Sequence, residues 1–271
     1  MIRKETSPSA LTLAGVTFSY PQTNVLAGID LTVPAGSYLG IVGSNGSGKT
    51  TLAFLIAGIL KPVSGTIDTH GMRIGLVLSN PANQIVSLVV EEDIAFGPEN
   101  MGLPSLEIKS RIGKALADVH GEHLRHALTS KLSGGQLAKV AYAGQLAMDV
   151  DILVLDEGTV MLDPASRKTL LKTIREMNAD LGKTVIHISH RLEDLEGADE
   201  VLVLEDGAIT HRSSEIFNLI KEYAHAGITG IEAGPNLLYR SFLKGHAIDD
   251  GDLEKATGML VELAVKKIPH G

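Results

Sequence analysis

The chain contains no cysteine, which excludes disulfides and thiolate metal centres and suits a reducing compartment. No run approaches the roughly eighteen uninterrupted apolar residues that a membrane-spanning helix needs, and the N-terminal stretch lacks the apolar core of a secretory signal. The expectation is a soluble, cytoplasmic protein whose membrane role, if any, runs through a partner. Basic residues are also scarce: 24 Lys and Arg against 32 Asp and Glu give a net charge of -8. That balance argues against a nucleic-acid partner held by diffuse electrostatic attraction. There is no internal repeat and no low-complexity segment. What is present, 271 residues that are 44% hydrophobic and 21% charged, is ordinary globular composition, enough for one large core or two modest ones.

Residues 43–50 read G-S-N-G-S-G-K-T, preceded by the apolar run 38–42 and followed by a helical pattern from Lys49. Gly43, Gly46 and Gly48 stand where backbone amides must curl around phosphate oxygens, with Ser44, Asn45, Ser47 and Thr51 completing the loop and the helix start. Lys49 supplies a point charge for the terminal phosphates and Thr50 a hydroxyl ligand for Mg²⁺. The segment is a P-loop. Downstream, I-L-V-L-D-E at 152–157 delivers Asp156 and Glu157 to the C-terminal end of a buried strand, where ligands sit in open α/β sheets. Asp156 is assigned to Mg²⁺, through water, and Glu157 to polarising the attacking water. His190 ends another apolar strand, 185–189, and is expected beside the same phosphates, donating to the γ-phosphate or orienting the water. L-S-G-G-Q at 132–136 opens a further helical pattern, so the Ser133 hydroxyl and the amides of Gly134, Gly135 and Gln136 crown a helix N-terminus, a ready anion site. A second such site is useful if it closes over a nucleotide held by another copy.

Around these motifs, 11–20 and 29–33 alternate at period two and predict an antiparallel, half-buried sheet. Short strands are expected at 66–69 and 73–78. Residues 91–121 are more polar, with helical spacing at 106–119 bracketed by Pro98, Pro104 and Gly121, which predicts a helical insertion. A parallel-sheet pattern resumes with strands at 152–155, 185–189 and 200–204 and a helix at 166–181. Beyond Ile209, 214–226 and 249–265 have helical spacing.

The ordered set of P-loop, L-S-G-G-Q, Asp156-Glu157, Met161-Leu162-Asp163 and His190 resembles an ATP-binding cassette (ABC) ATPase. The resemblance implies an α/β P-loop NTPase fold with an N-terminal antiparallel β subdomain, a RecA-like parallel-sheet core, a helical subdomain at about 88–148 and a small C-terminal helical region. The ATPase domain would span 10–210, and 211–271 would be a C-terminal, dimerisation-type region. It also implies a head-to-tail dimer with a second ABC ATPase subunit, identical or not. ATP would be sandwiched between one P-loop and the other copy's Ser133, Gly134, Gly135 and Gln136, with Tyr20 stacking on adenine and Asp163 communicating across the interface. The string N-P-A-N-Q-I-V at 80–86, followed by V-E-E-D-I-A-F-G-P-E-N at 90–100, is similar to the ATPases of energy-coupling factor importers of vitamins and transition-metal ions. That similarity implies a peripheral place on the cytoplasmic face of the cell membrane, beside a transmembrane coupling subunit and a substrate-binding membrane subunit.

Three positions depart from the family pattern. Ser79 stands where Gln is usual, Gly158 follows Glu157 where Pro or Ala is usual, and Leu137-Ala138-Lys139 replaces Lys-Gln-Arg. The shorter Ser79 side chain is expected to lose direct contact with metal and water, and Gly158 to loosen Glu157. Two alternatives follow: a low-turnover nucleotide-binding partner in an unequal pair, or a soluble ABC switch acting on nucleic acid or a ribosome. The second calls for a duplicated cassette, a coiled-coil insertion or basic arms, which the chain lacks.

Overall fold

The computed structural model describes residues 8–159 and 162–214. Two sheets organise them. Strands β1 (Ser9–Tyr20), β2 (Thr23–Pro34) and β4 (Ser64–Asp68) form an antiparallel sheet in the order β2-β1-β4. The second sheet has the order β5-β6-β7-β3-β8-β9, built from β3 (Tyr38–Val42), β5 (Ile74–Val77), β6 (Ile152–Asp156), β7 (Thr184–Ile188), β8 (Glu200–Glu205) and β9 (Ala208–Ser213). Its first five strands are parallel and β9 returns antiparallel to β8.

Both faces of the parallel sheet are covered, so its strands read as continuous apolar runs. Side chains alternate between the two sides. Ile152 and Val154 of β6 join a core with β1, β2 and helix α1 (Lys49–Ile56), whereas Leu153 and Leu155 join one with the helices. That second layer comprises α2 (Val90–Asn100), α3 (Ser105–Asp118), α4 (Gly134–Ala147) and α5 (Pro164–Leu181). Glu91, Glu92 and Asp93 sit in the first turn of α2, where the helix dipole favours negative charge. Pro98 does not end α2. It lies within the last turn of a helix that runs on to Asn100, where its missing N–H removes only one hydrogen bond.

The antiparallel sheet, parallel core and helical layer expected from the sequence are all present. The sheet also runs past the last expected strand at 200–204, because β9 carries it on to Ser213. The helices expected at 214–226 and 249–265 lie outside the described residues, apart from Ser214.

Beneath the sheet edge, His187 of β7 is fully buried, with Nδ1 2.8 Å from the Tyr38 hydroxyl. Burial depresses its pKa to about 4, with Asp194 opposing that shift and Arg167 and Arg175 adding to it. An unfolded histidine titrates near 6.5, so this depressed group favours the folded state above pH 6.5. That contribution is lost as pH falls from 6.5 to about 4, because the unfolded chain then binds the extra proton. Its full size is about 3 kcal/mol. His187→Gln is therefore expected to lose less stability than the wild type between pH 7 and pH 4.5, as read by urea denaturation of both proteins. Equal losses would remove His187 from the acid response.

Candidate functional site

Because β6, β7 and β3 are adjacent and parallel, their C-terminal ends open on one edge of the sheet. The P-loop leaves β3 there, Asp156 and Glu157 leave β6, and His190 follows β7. A cleft of about 250 Å³ opens at this edge, with Asn45, Lys49, Thr50, Thr51, Glu157 and Val25 in its wall.

The loop geometry follows from its glycines. Gly48 has φ 101, and a Cβ there would stand 2.8 Å from Leu26 Cδ2 and 3.0 Å from Val25 O, so only glycine lets the loop turn into α1 against β2. Lys49 is buried and donates to Gly43 O and Ser44 O, both at 2.8 Å. Desolvation lowers its pKa, and the nearby Glu157 and Asp156 carboxylates oppose that shift. Ser47 Oγ is buried in the loop without a hydrogen-bond partner, and the Ser47 carbonyl accepts from Gly207 N at 3.2 Å, which braces the loop against the β8–β9 turn.

Asp156 is also buried. Its Oδ1 has no hydrogen-bond partner. Burial raises its pKa, the neighbouring Thr50 hydroxyl and Lys49 pull it down, and Glu157 pushes it up. A hydroxyl and a carboxylate with a spare oxygen form a hard, all-oxygen donor pair of the kind Mg²⁺ takes. Glu157 adopts φ 53, an uncommon left-handed conformation for a residue with a long side chain, and its N–H donates to Ile188 O at 3.0 Å. Its Oε1 lies 3.5 Å from His190 Nδ1.

Tyr20 ends β1 with its ring half-exposed and edge-to-face on Phe18 at 5.0 Å, so it is not the buried strand aromatic that its position alone would suggest. Ser79 makes no hydrogen bond to Asp156 or Glu157 among the described residues. The Gln84 amide turns to the outer edge of β5, where its Oε1 accepts from Leu78 N and its Nε2 donates to Leu76 O, both at 2.8 Å. Gly158 has its own steric reason. A Cβ there would lie 3.2 Å from the buried Tyr142 hydroxyl.

The residues of L-S-G-G-Q stand apart from this cleft. Ser133 caps α4: its Oγ accepts from Gln136 N at 3.3 Å while Gln136 Oε1 accepts from Ser133 N at 2.9 Å, a reciprocal capping box. Asp163 likewise caps α5, accepting from Ala165 N and Ser166 N at 3.0 and 3.1 Å. Its expected interface role therefore has to accommodate a carboxylate already committed within its own chain. The same two helix starts touch at Gly135, where a Cβ would lie 2.8 Å from Ser166 Cβ. Residues that sequence reasoning missed include Thr159, Arg167 and Asp194, which are hydrogen-bonded together behind Glu157. Asp194 lies within the charged run R-L-E-D-L-E, whose local pattern gives no sign of burial.

A phosphate cradle on the central strand, two carboxylates on the next strand but one and a histidine between them define a P-loop nucleotide hydrolase. The comparisons with known proteins narrow this class. Residues 26–160 match the family model described as ABC transporter. The energy-coupling factor transporter ATP-binding protein EcfA of Methanosarcina acetivorans is 41% identical over 211 residues, covering 73% of this chain and 77% of that protein. EcfA1 of Geobacillus kaustophilus is 40% identical over 234 residues, covering 80% and 84%. The structure of cbiO1 from Clostridium perfringens, described as part of the ABC transporter complex cbiONQ, aligns with a TM-score of 0.72 at 34% identity over 79% of this chain and 91% of that one. The chain belongs to the ABC transporter ATPase family and is an ATP-binding, ATP-hydrolysing enzyme.

The close contact at Gly135 generates a test. Gly135→Ala should destabilise the fold by about 1–3 kcal/mol through overpacking, and Ser166→Gly in the same chain should restore more than half of that loss. Denaturation midpoints of the single and double variants decide it, and a double variant no better than Gly135→Ala alone would sink the steric account.

Proposed function

We propose that this chain energises uptake of a small solute, a vitamin or a transition-metal ion, by hydrolysing ATP on the cytoplasmic face of a membrane importer. One observation carries the reading. The P-loop, Asp156, Glu157 and His190 lie at one edge of the parallel sheet, but Ser133, Gly134, Gly135 and Gln136 lie on a separate helix start, so in this reading the site is half-built until a second cassette supplies that face. ATP binds with its phosphates in the amides of residues 43–48 and against Lys49 and its adenine on Tyr20, and Thr50 and Asp156 would hold Mg²⁺. When bound, the metal would neutralise negative charge on the phosphates. Glu157 polarises the attacking water and accepts its proton as the water oxygen bonds the γ-phosphorus, the bond from that phosphorus to the bridging oxygen breaks to leave ADP and inorganic phosphate, and His190 holds the γ-phosphate. Ser133 and Gly135 contact that phosphate from the partner cassette, and Asp163 faces the same interface.

Residues 10–210 form the ATPase domain in this reading, and 211–271 add a dimerisation region. Within the helical segment 88–148 and the loop before it, Val86 is 63% and Leu88 75% exposed, yet their loop is fixed. Asp93 Oδ1 accepts from Val86 N and Ser87 N at 2.7 and 3.0 Å, and the Thr129 hydroxyl donates to Ser87 O at 2.8 Å. An apolar surface held rigid in this way suits docking of a transmembrane coupling subunit. None of the described helices is long and apolar enough to cross a membrane, which fits a peripheral subunit of an assembly that also holds a substrate-binding membrane subunit. The net charge of -8 supports the absence of a nucleic-acid partner.

Lys49→Ala should abolish tight ATP binding, whereas Glu157→Gln should keep binding and stop turnover, as measured by nucleotide affinity and single-turnover hydrolysis. In the Glu157→Gln background, ATP should drive dimerisation in sedimentation runs and Ser133→Arg should block it. Retention of the ATP-dependent dimer in Ser133→Arg would rule out the sandwich.

The position of Ser79 supports a second reading, a slow site within an unequal pair. Ser79→Gln should then raise steady-state ATPase activity a few fold, or about 1 kcal/mol of transition-state stabilisation. An equal or lower rate would mark Ser79 as an accommodated variant.

A further inference from the structure

The single-turn helix Leu192–Leu195 after β7 carries a carboxylate with no role in the chemistry above. Asp194 is 1% exposed, and its two oxygens serve different parts of the site. Oδ2 accepts from the Thr159 hydroxyl at 2.8 Å and from the Ser189 hydroxyl at 3.1 Å. Oδ1 accepts from Arg167 Nε at 2.8 Å and also from Arg167 Nη2. Thr159 lies two residues after Glu157, Ser189 immediately precedes His190, and Arg167 stands in the first turn of α5, next to the Asp163 cap. Thr159 and Ser189 are themselves 2% and 1% exposed. The Ser189 hydroxyl also accepts from Arg191 N at 3.0 Å, so the backbone flanking His190 on both sides is held at one oxygen.

Cohesion alone does not call for a charge here, because well-packed apolar residues commonly replace a buried ion pair without loss of stability. What they cannot provide is a directional grip on two hydroxyls from different strands. Upstream, the main chain at both catalytic positions is already fixed by the sheet: Glu157 N donates to Ile188 O and Ser189 N to Ile41 O, each at 3.0 Å. Downstream, the chain leaves the sheet, and Glu157 must hold φ 53 against its intrinsic preference. Asp194 supplies an anchor on that side, and supplies it to both strand ends from a single atom.

We propose that Asp194 is a positioning residue for ATP hydrolysis. By holding Thr159 and Ser189 on one carboxylate oxygen, it sets the Glu157 carboxylate and the His190 imidazole, 3.5 Å apart, in their working arrangement. Through Arg167 the same carboxylate ties that arrangement to the start of α5, on the side of the site that awaits the second cassette. The proposal rests on the reading of Glu157 and His190 as catalytic residues.

The test uses the full chain purified with its native partners. Thr159→Val keeps the shape of the side chain and removes its hydroxyl, Thr159→Ser keeps the hydroxyl, and Ser189→Ala removes the second tether. Thr159→Val and Ser189→Ala should each lower kcat roughly five- to tenfold, with KM for ATP changed less than about twofold, because misplacement of reacting groups is felt in the transition state. Thr159→Ser should retain wild-type kcat. The double variant should be little worse than either single one, since both tethers end on the same oxygen. Thr173→Val, which removes a buried hydroxyl bonded only to Thr169 O within α5, is the packing control and should leave kcat unchanged. Unchanged kcat in the tether variants, a Thr159→Ser protein as slow as Thr159→Val, or fully multiplicative losses in the double variant would each overturn the proposal. Glu157→Gln and His190→Ala, run alongside, separate the two readings: if they retain turnover, the catalytic assignment fails, and if only they lose it, the role of Asp194 fails.

Discussion

The structure depends first on the parallel pairing of β6, β7 and β3. Antiparallel neighbours would send successive strand ends to opposite edges of the sheet, whereas parallel ones bring all three to the same edge. The pairing Leu155↔His187 and Gly40↔His187 fixes the relative height of the three strands, so Lys49, Glu157 and His190 meet although more than a hundred residues separate the first from the last. Both faces of the sheet must then be buried, and the β1–β2 sheet with α1 and the helical layer α2–α5 do that on opposite sides.

Around that edge, polar groups are buried in two different ways. Those in and beneath the P-loop keep spare capacity: Asp156 Oδ1 and Ser47 Oγ have no hydrogen-bond partner among the described residues, and the Lys49 ammonium rests on backbone carbonyls that phosphate oxygens can replace with stronger, charge-assisted bonds. Those behind the cleft are committed. Asp194 has hydrogen bonds on both oxygens, and the buried Thr159 and Ser189 hydroxyls both donate to it. Spare capacity marks where a ligand is to be bound, and committed groups mark where geometry is to be held.

The departures from the family pattern also have local physical settings. With Ser79 short, Gln84 lies folded against the β5 edge, where its amide satisfies one backbone donor and one acceptor. Gly158, expected from sequence to loosen Glu157, instead gives room to the Tyr142 hydroxyl from the helix that begins with Ser133 and the two glycines. Its lost stiffness is set against the Thr159 hydroxyl bond one residue on.

The sequence by itself determined the local chemistry: a glycine-rich loop needs small residues at fixed spacing, buried parallel strands need short apolar runs, and helix starts at Ser133 and Asp163 carry their own caps. These are short-range demands, so they leave short-range signatures, and they made the fold class and a candidate site of P-loop, Asp156, Glu157 and His190 legible. Tertiary structure alone decided strand order, the run of α2 through Pro98, the extension of β9 to Ser213 and the convergence of Thr159, Ser189 and Arg167 on Asp194. Those outcomes rest on contacts between residues distant in the chain. A charged run such as R-L-E-D-L-E looks solvated until the fold brings partners from two other segments to one of its carboxylates.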